Sequence, residues 1–258
     1  MSKKLILVLA HQDDEFCIFN RISKFQNKKN IYVFYLTSGL NKNCNKFNKS
    51  HRDIESLKVL KKLGVLEKKV FFLGRELSIN HNSLYKNLDT AFQNLLKILK
   101  KIKGSKTVIT HSLEGGHEDH DSCYYLVSAL NKKFKLFTNS FQFPAYHGKN
   151  LPYIFYKVFD PIVENGKILK EKINFFDKFK FIYLLFIYKS QLKTWLGLYP
   201  FIIYKYLFKN RDSLQKINAN VLFRKPHRGK LFYEKRKFCS YQSFRFHILS
   251  FLTKNKIK

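Results

Sequence analysis

Hydrophobic positions follow two alternating patterns through the first 143 residues. Leu5-Ile-Leu-Val-Leu-Ala10 is a continuous apolar run of the kind that forms a strand buried on both faces, and Ile31–Thr37 repeats it. Shorter runs at Val70–Leu73, Thr107–Thr110 and Phe134–Phe141 read the same way. Between the strands the spacing changes to the helical period. Residues near Glu15 to Phe25 form one such segment, and Ser50–Leu63 forms another, with Ile54, Leu57, Leu60 and Leu63 on one face and Gly64 as its stop. Asp89–Ile102 aligns Phe92, Leu95, Leu96 and Leu99 ahead of Gly104, and Asp121–Leu130 completes the series. Strand and helix in strict alternation predict an α/β fold, a Rossmann-like, mostly parallel sheet with helices on both faces.

Beyond Pro144 the alternation stops. Pro152, Pro161 and Gly166 punctuate a loop-like stretch, followed by two aromatic and aliphatic segments, Phe175–Tyr188 and Trp195–Phe208. Each is shorter than the roughly 20 apolar residues that span a bilayer, and each carries lysine or proline. They are expected as helices that cover the sheet. A second reading makes them a face lying on an anionic membrane, with Trp195, Tyr199 or Phe201 exposed among lysines. The chain therefore divides into an α/β core, residues 1–145, and a C-terminal helical and aromatic-rich extension, residues 146–258, packed on or completing the same domain.

Charge alters this picture less than its size suggests. The chain holds 49 Lys plus Arg against 18 Asp plus Glu, a net charge of +31 that would suit a polyanionic partner. Only eight of these cations are arginine, however, and Lys, Asn, Ile, Phe and Tyr are enriched together, as a drift toward A- and T-rich codons produces. There is no zinc-finger spacing, no RNP-like aromatic run and no arginine-rich arm, so nucleic acid is not an expected partner. Cys17, Cys44, Cys123 and Cys239 form no CxxC pair, which fits a reducing compartment. Six apolar residues between Lys4 and His11 are too few for a secretory signal. The expected location is the cytoplasm, with peripheral contact at the inner face of the membrane as the variant.

Chemistry is concentrated immediately after two of the strands. His11-Gln12-Asp13-Asp14-Glu15 follows the first, and Gly115-Gly116-His117-Glu118-Asp119-His120-Asp121 follows Thr107–Thr110. Open α/β sheets bind ligands at the carboxyl ends of their strands, which puts both clusters on one edge. His11 and Asp14 flank a compact turn that can aim an imidazole and a carboxylate at one point, a pair suited to zinc. A catalytic zinc has three protein ligands and an open position, so one of His117 and His120 would supply the third and leave the other for proton transfer. Asp13 is placed to take a proton from water, with Glu15 bracing the loop. Such a site hydrolyses amides, with a protonated histidine opposite to stabilise the oxyanion or protonate the leaving amine.

These residues resemble a known family. Ala10-His11-Gln12-Asp13-Asp14-Glu15, Thr110-His111 and Glu114-Gly115-Gly116-His117-Glu118-Asp119-His120-Asp121 are similar to the motifs of the PIG-L/LmbE-like de-N-acetylases, zinc hydrolases that act on N-acetylglucosamine-type sugars. Arg52-Asp-Ile-Glu55, Leu63-Gly64-Val65 and Phe72-Leu73-Gly74 keep the family's order, and the resemblance covers residues 5 to about 145. It implies His11, Asp14 and His120 as ligands of Zn2+, or of Fe2+, which the same donors tolerate. It further implies Asp13 as general base, His117 as second catalytic histidine supported by Asp119, and Arg52 near the sugar. Gln12 and Glu118 stand where the family commonly has proline, which changes loop stiffness rather than chemistry. Tyr188–Gln191 and Arg224–Glu234 look like segments of longer glycan-acting members. The implied function is removal of acetyl from an N-acetylamino sugar on a lipid or nucleotide carrier. The alternatives are another acylated amine or thiol-sugar conjugate, or a non-catalytic, membrane-binding relative.

Overall fold

The structure is a computed structural model that describes residues 2–40, 50–218 and 223–257; Cys44 lies outside them. The alternation of the first half produces β1 (Lys4–Leu9), β2 (Ile31–Tyr35), β3 (Val70–Phe71), β4 (Lys106–His111) and β5 (Asn139–Phe143), all paired in parallel. A small hairpin, β6 (Tyr146–His147) with β7 (Lys157–Val158), follows. Two further strands, β8 (Ile168–Lys172) and β9 (Arg211–Lys216), extend the main sheet in antiparallel sense to the order β3-β2-β1-β4-β5-β9-β8.

The period-two pattern of β1 explains why it is central. Leu5, Leu7 and Leu9 belong to one buried cluster and Ile6, Val8 and Ala10 to the other, so both faces are covered. On the first face lie α1 (Phe19–Lys24), α2 (His51–Lys62), α6 (Phe175–Leu185) and α8 (Tyr199–Phe208), with the single turn α7 (Leu192–Trp195) between the last two. On the second lie α4 (Leu88–Lys101), α5 (Glu118–Phe134) and α10 (Tyr241–Lys254). Short turns α3 (Leu73–Glu76) and α9 (Phe232–Lys235) complete the helices.

Several boundaries depart from the sequence expectation for local reasons. The helix expected from Glu15 begins as a 3-10 turn, Asp14–Ile18, because the Asp14 and Glu15 carboxylates accept loop amide hydrogens instead of standing free. The strand expected at Phe134–Phe141 starts only at Asn139. Helix α5 runs on to Phe134, and Lys135 closes it in the left-handed region, φ 49°. The strand at Val70 ends after two residues, where Phe72 turns into α3. Strands β8 and β9 and helix α10 were not among the expected elements.

Strand order places the two polar clusters. From β1 the chain moves to β2 and β3 on one side, while β4 lies on the other, with Val8 opposite Thr110. The carboxyl ends of β1 and β4 thus flank the point where the winding reverses, the crevice at which such sheets bind ligands.

Candidate metal centre and pocket

The loop after β1 is held by its own acids. Asp14 accepts the N–H of His11 at 2.6 Å, and Glu15 accepts that of Asp13 at 3.1 Å. Tyr188 braces Glu15 from the far side with a 2.8 Å hydrogen bond. Asp13 consequently adopts φ 123°, a conformation costly for any residue with a Cβ, of order 1–3 kcal/mol, and stored strain of this kind concentrates at functional sites. Gln12, where proline is usual in the similar family, ties the loop down by another route. Its amide donates to Asp53 Oδ1 at 2.8 Å and to the Thr37 carbonyl. Asp53 forms a capping box with Ser50 and also accepts from Arg75, so the turn is anchored to the start of α2.

The loop after β4 is fixed in a comparable way. Asp121 accepts the N–H groups of Glu114 and Gly115, and Glu114 accepts those of Ala145 and Tyr146. At Gly116 any side chain would collide with the Tyr146 carbonyl, 1.9 Å from an ideal Cβ. His117 caps α5 by accepting the Asp119 N–H at Nδ1, 3.1 Å. His120 follows on the first turn.

These loops bring the expected residues together. His11, Asp14 and His120 offer ligand atoms that all lie within 4.8 Å of one another, every one buried. Asp14 faces His11 Nδ1 at 3.5 Å and His120 Nε2 at 3.2 Å. His11 Nε2 meets Asp119 at 3.0 Å, and that carboxylate also accepts the N–H groups of Asn82 and Leu84. Asp119 is thus aimed at His11, and its hydrogen bond to His117 comes from its backbone N–H, not its carboxylate. A carboxylate behind an imidazole fixes which nitrogen is free to bind a metal.

The electrostatics suit a cation at this point. Burial disfavours a charged His11, yet the carboxylates of Asp14 and Asp119 outweigh it and hold the imidazole up at about 10. Burial likewise opposes ionisation of Asp14, but His111, His120 and His11 keep it well below the usual carboxylate range. A buried carboxylate that stays ionised and a pocket that grips a proton this tightly fit a divalent ion in the proton's place. The remaining buried polar atom of His120, Nδ1, has no hydrogen-bond partner. The His/Asp/His set therefore fits a zinc-type ion with an open position.

Asp13 and Arg52 stand beside the set. Burial raises Asp13 to about 7, against the pull of Arg52 and with the help of Asp14. Arg52 lines the cavity, but its guanidinium is directed at Asp13 (3.0 Å) and at the carbonyls of Gln12 and Gly39. The residue expected near the sugar thus also fixes the strained loop. Burial holds His117 well below its ordinary value, so the ring is neutral rather than the protonated form expected from sequence. Because Nδ1 already accepts a backbone N–H, the proton of the neutral ring sits on Nε2.

Two further histidines were given no role in the sequence. His81 stacks on His11 with ring centroids 4.4 Å apart, and its Nε2 lies 3.2 Å from that of His117. It comes from a loop without periodic pattern. His111 ends β4, lies 3.0 Å from Asp14 and stacks on His120 at 3.9 Å; burial holds it down near 3. Its signal was its place in the Thr110-His111 pair. Around these groups opens a cavity of about 130 Å³, walled by Tyr146, Tyr156, Trp195 and Phe232, with Arg236 at its rim. Trp195 is 4% exposed and Tyr199 is buried, so neither is on the surface; Phe201 is exposed.

The chain's relationships agree with this arrangement. Residues 6–131 match the PIG-L family, described as GlcNAc-PI de-N-acetylase. A comparison with curated proteins gives no match. Among solved structures, a deacetylase–bog complex from the teicoplanin biosynthesis pathway superposes with a TM-score of 0.57 at 13% identity, over 84% of this chain and 99% of that one. The zinc-inhibited form of teicoplanin deacetylase gives 0.59 at 13% identity and the same coverage. A conserved protein from Thermus thermophilus gives 0.51 at 16% identity, over 83% and 94%. These likenesses share the fold. Residues 6–131, just under half of the chain, thus carry its similarity to the PIG-L family.

Proposed function

We propose that this protein is a metal-dependent hydrolase that removes the acetyl group from an N-acetylamino sugar carried on a lipid or nucleotide. The observation that carries this reading is the convergence of His11, Asp14 and His120 beside Asp13, at the base of an aromatic-walled cavity. The PIG-L match and its description as GlcNAc-PI de-N-acetylase support an N-acetylglucosamine-type substrate. A divalent ion held by His11, Asp14 and His120, zinc or ferrous iron, would supply Lewis-acid polarisation of water and of the amide carbonyl.

The chain's own groups do the rest. Asp13, with a proton affinity near neutrality, takes the proton from the attacking water. Arg52 and Glu15 hold that carboxylate and its loop in the strained geometry the transfer needs. His117 presents a neutral Nε2–H to the carbonyl oxygen as negative charge develops there, exchanging His81 Nε2, 3.2 Å away, for that oxygen. The proton held by Asp13 then passes to the leaving amine, which gives acetate and a free amino sugar. Tyr146, Tyr156 and Trp195 offer faces for a sugar ring, and Arg236 suits a phosphate of the carrier.

Acetate release from a panel of free, nucleotide-linked and lipid-linked N-acetylated sugars, measured with metal-loaded protein, tests the reading. Release from at least one class is expected. Release from none, by protein that holds its metal, would overturn it.

A further inference from the structure

The helices that cover one face of the sheet carry a second, outward apolar face. On α6, Phe175, Phe176, Phe179, Tyr183 and Phe186 recur at helical spacing and are all exposed, Phe176 to 84%. On α8, which packs against α6, Phe201, Tyr204 and Phe208 do the same. Leu196, 78% exposed, lies between the two helices in sequence, and Tyr153, Ile154 and Phe155 form an exposed apolar tip on the β6–β7 hairpin. These groups adjoin one another. The Phe201 ring lies 5.9 Å from that of Tyr156, and Tyr156 donates from its hydroxyl to the Gly197 carbonyl at 2.7 Å.

The same elements form the cavity wall. Tyr156, Trp195 and Leu198 line the cavity, while their sequence neighbours Phe155 and Leu196 point to solvent. The apolar face therefore reaches the rim of the pocket. A monomer rarely leaves so many large side chains exposed together unless something covers them.

Charge indicates what that partner is. From Phe175 to Lys209 the sequence holds six lysines and one aspartate. Lys178 is buried, donating to the Leu207 carbonyl, whereas Lys180, Lys189 and Lys209 are exposed beside the aromatic stripes. Like-charged faces would repel a second copy of the chain, while an anionic lipid surface attracts the lysines and takes in the aromatic rings. Neither helix is long and apolar enough to cross a membrane, and no helix among the described residues is. From this juxtaposition we infer that the exposed face of α6 and α8, with Leu196 and the tip at Tyr153–Phe155, docks on an anionic lipid bilayer and turns the pocket mouth toward it. The inference goes beyond the proposed activity and does not rest on it.

Its test is co-sedimentation of the full-length, metal-loaded protein with phosphatidylcholine vesicles containing or lacking phosphatidylglycerol, at low salt and at about 1 M salt, where the screening length falls to roughly 3 Å. Binding to the anionic vesicles is expected, with a fraction retained at high salt by apolar insertion. The triple variant Phe176→Ser, Phe179→Ser, Leu196→Ser changes only exposed side chains and should lose that fraction by about tenfold or more. Phe176→Trp, read beside the buried Trp195, should give an added emission that shifts blue with anionic vesicles. Complete release at high salt with no blue shift would overturn the inference and leave a diffuse lysine coat. Dimerisation in sedimentation velocity that is lost in the triple variant, without vesicle binding, would overturn it in favour of a second copy.

Discussion

His117 accepts the backbone N–H of Asp119 at Nδ1, 3.1 Å away, and in doing so fixes its own proton on Nε2, the nitrogen 3.2 Å from His81. One capping bond at the start of α5 thereby decides that the second histidine of the pocket is a neutral donor rather than an acid. His117→Gln, which keeps an N–H donor, should retain more turnover than His117→Ala. Equal losses in the two variants would show that the donor role is absent.

Asp13 lies outside the three-residue set that fits a cation, so its removal should leave metal content intact. Asp13→Asn is expected to lower kcat by a factor on the order of 10² or more. Elemental analysis and acetate release on the same preparation check both parts. Loss of metal in this variant would make Asp13 a ligand.

Arg52 pulls the proton affinity of Asp13 downward against burial. In Arg52→Gln that pull is gone, so Asp13 binds its proton more tightly and the acid limb of the kcat/KM profile should move to higher pH. An unmoved limb with only a raised KM would assign Arg52 to substrate contact alone.

Away from the pocket, His147 gives a clean pH signature. It donates from Nε2 to the Asp160 carbonyl at 2.9 Å and accepts the Lys149 N–H at Nδ1, so the fold needs it neutral. Burial, only partly offset by that carbonyl, holds it down to about 4 against an ordinary 6.5. The folded value lies below the unfolded one, so protonation favours unfolding. Its contribution is fully present above about pH 6.5 and is lost as pH falls toward 4, on the order of 3 kcal/mol in all. Denaturation midpoints across this range should slope less steeply in His147→Gln than in the parent. Parallel slopes would contradict the burial effect.

How much of this was legible depended on the range over which each signal acts. The runs at Leu5–Ala10 and Thr107–Thr110 encode buried parallel strands directly, and the polar clusters after them became one site because both strands end on the same edge. Strands β8 and β9 gave no such signal. Ile168–Lys172, at the sheet's edge, and Arg211–Lys216, the strand beside it, are mixed, charged sequences, and at the edge such polarity guards against further pairing. His81 has no pattern around it and acquires meaning only by stacking on His11. The Tyr188–Glu15 bond joins residues 173 positions apart, a relation set by how α6 folds back on the first loop. Trp195 was ambiguous for a related reason: its hydrophobicity was plain, but whether it faced lipid or the protein interior depended on the turn at α7.

Metal content of His120→Ala, measured beside the parent protein after identical loading and dialysis, is the most direct test of the centre at the heart of this reading. His120 meets the loop after β1 through Asp14 and the His11 ring, while that loop's backbone is held by its own carboxylates, so its fold should survive the change. The expected result is a single divalent ion per chain in the parent and a background level in the variant. A full complement of metal in His120→Ala, with the variant folded, would contradict the assignment of His11, Asp14 and His120 to one ion.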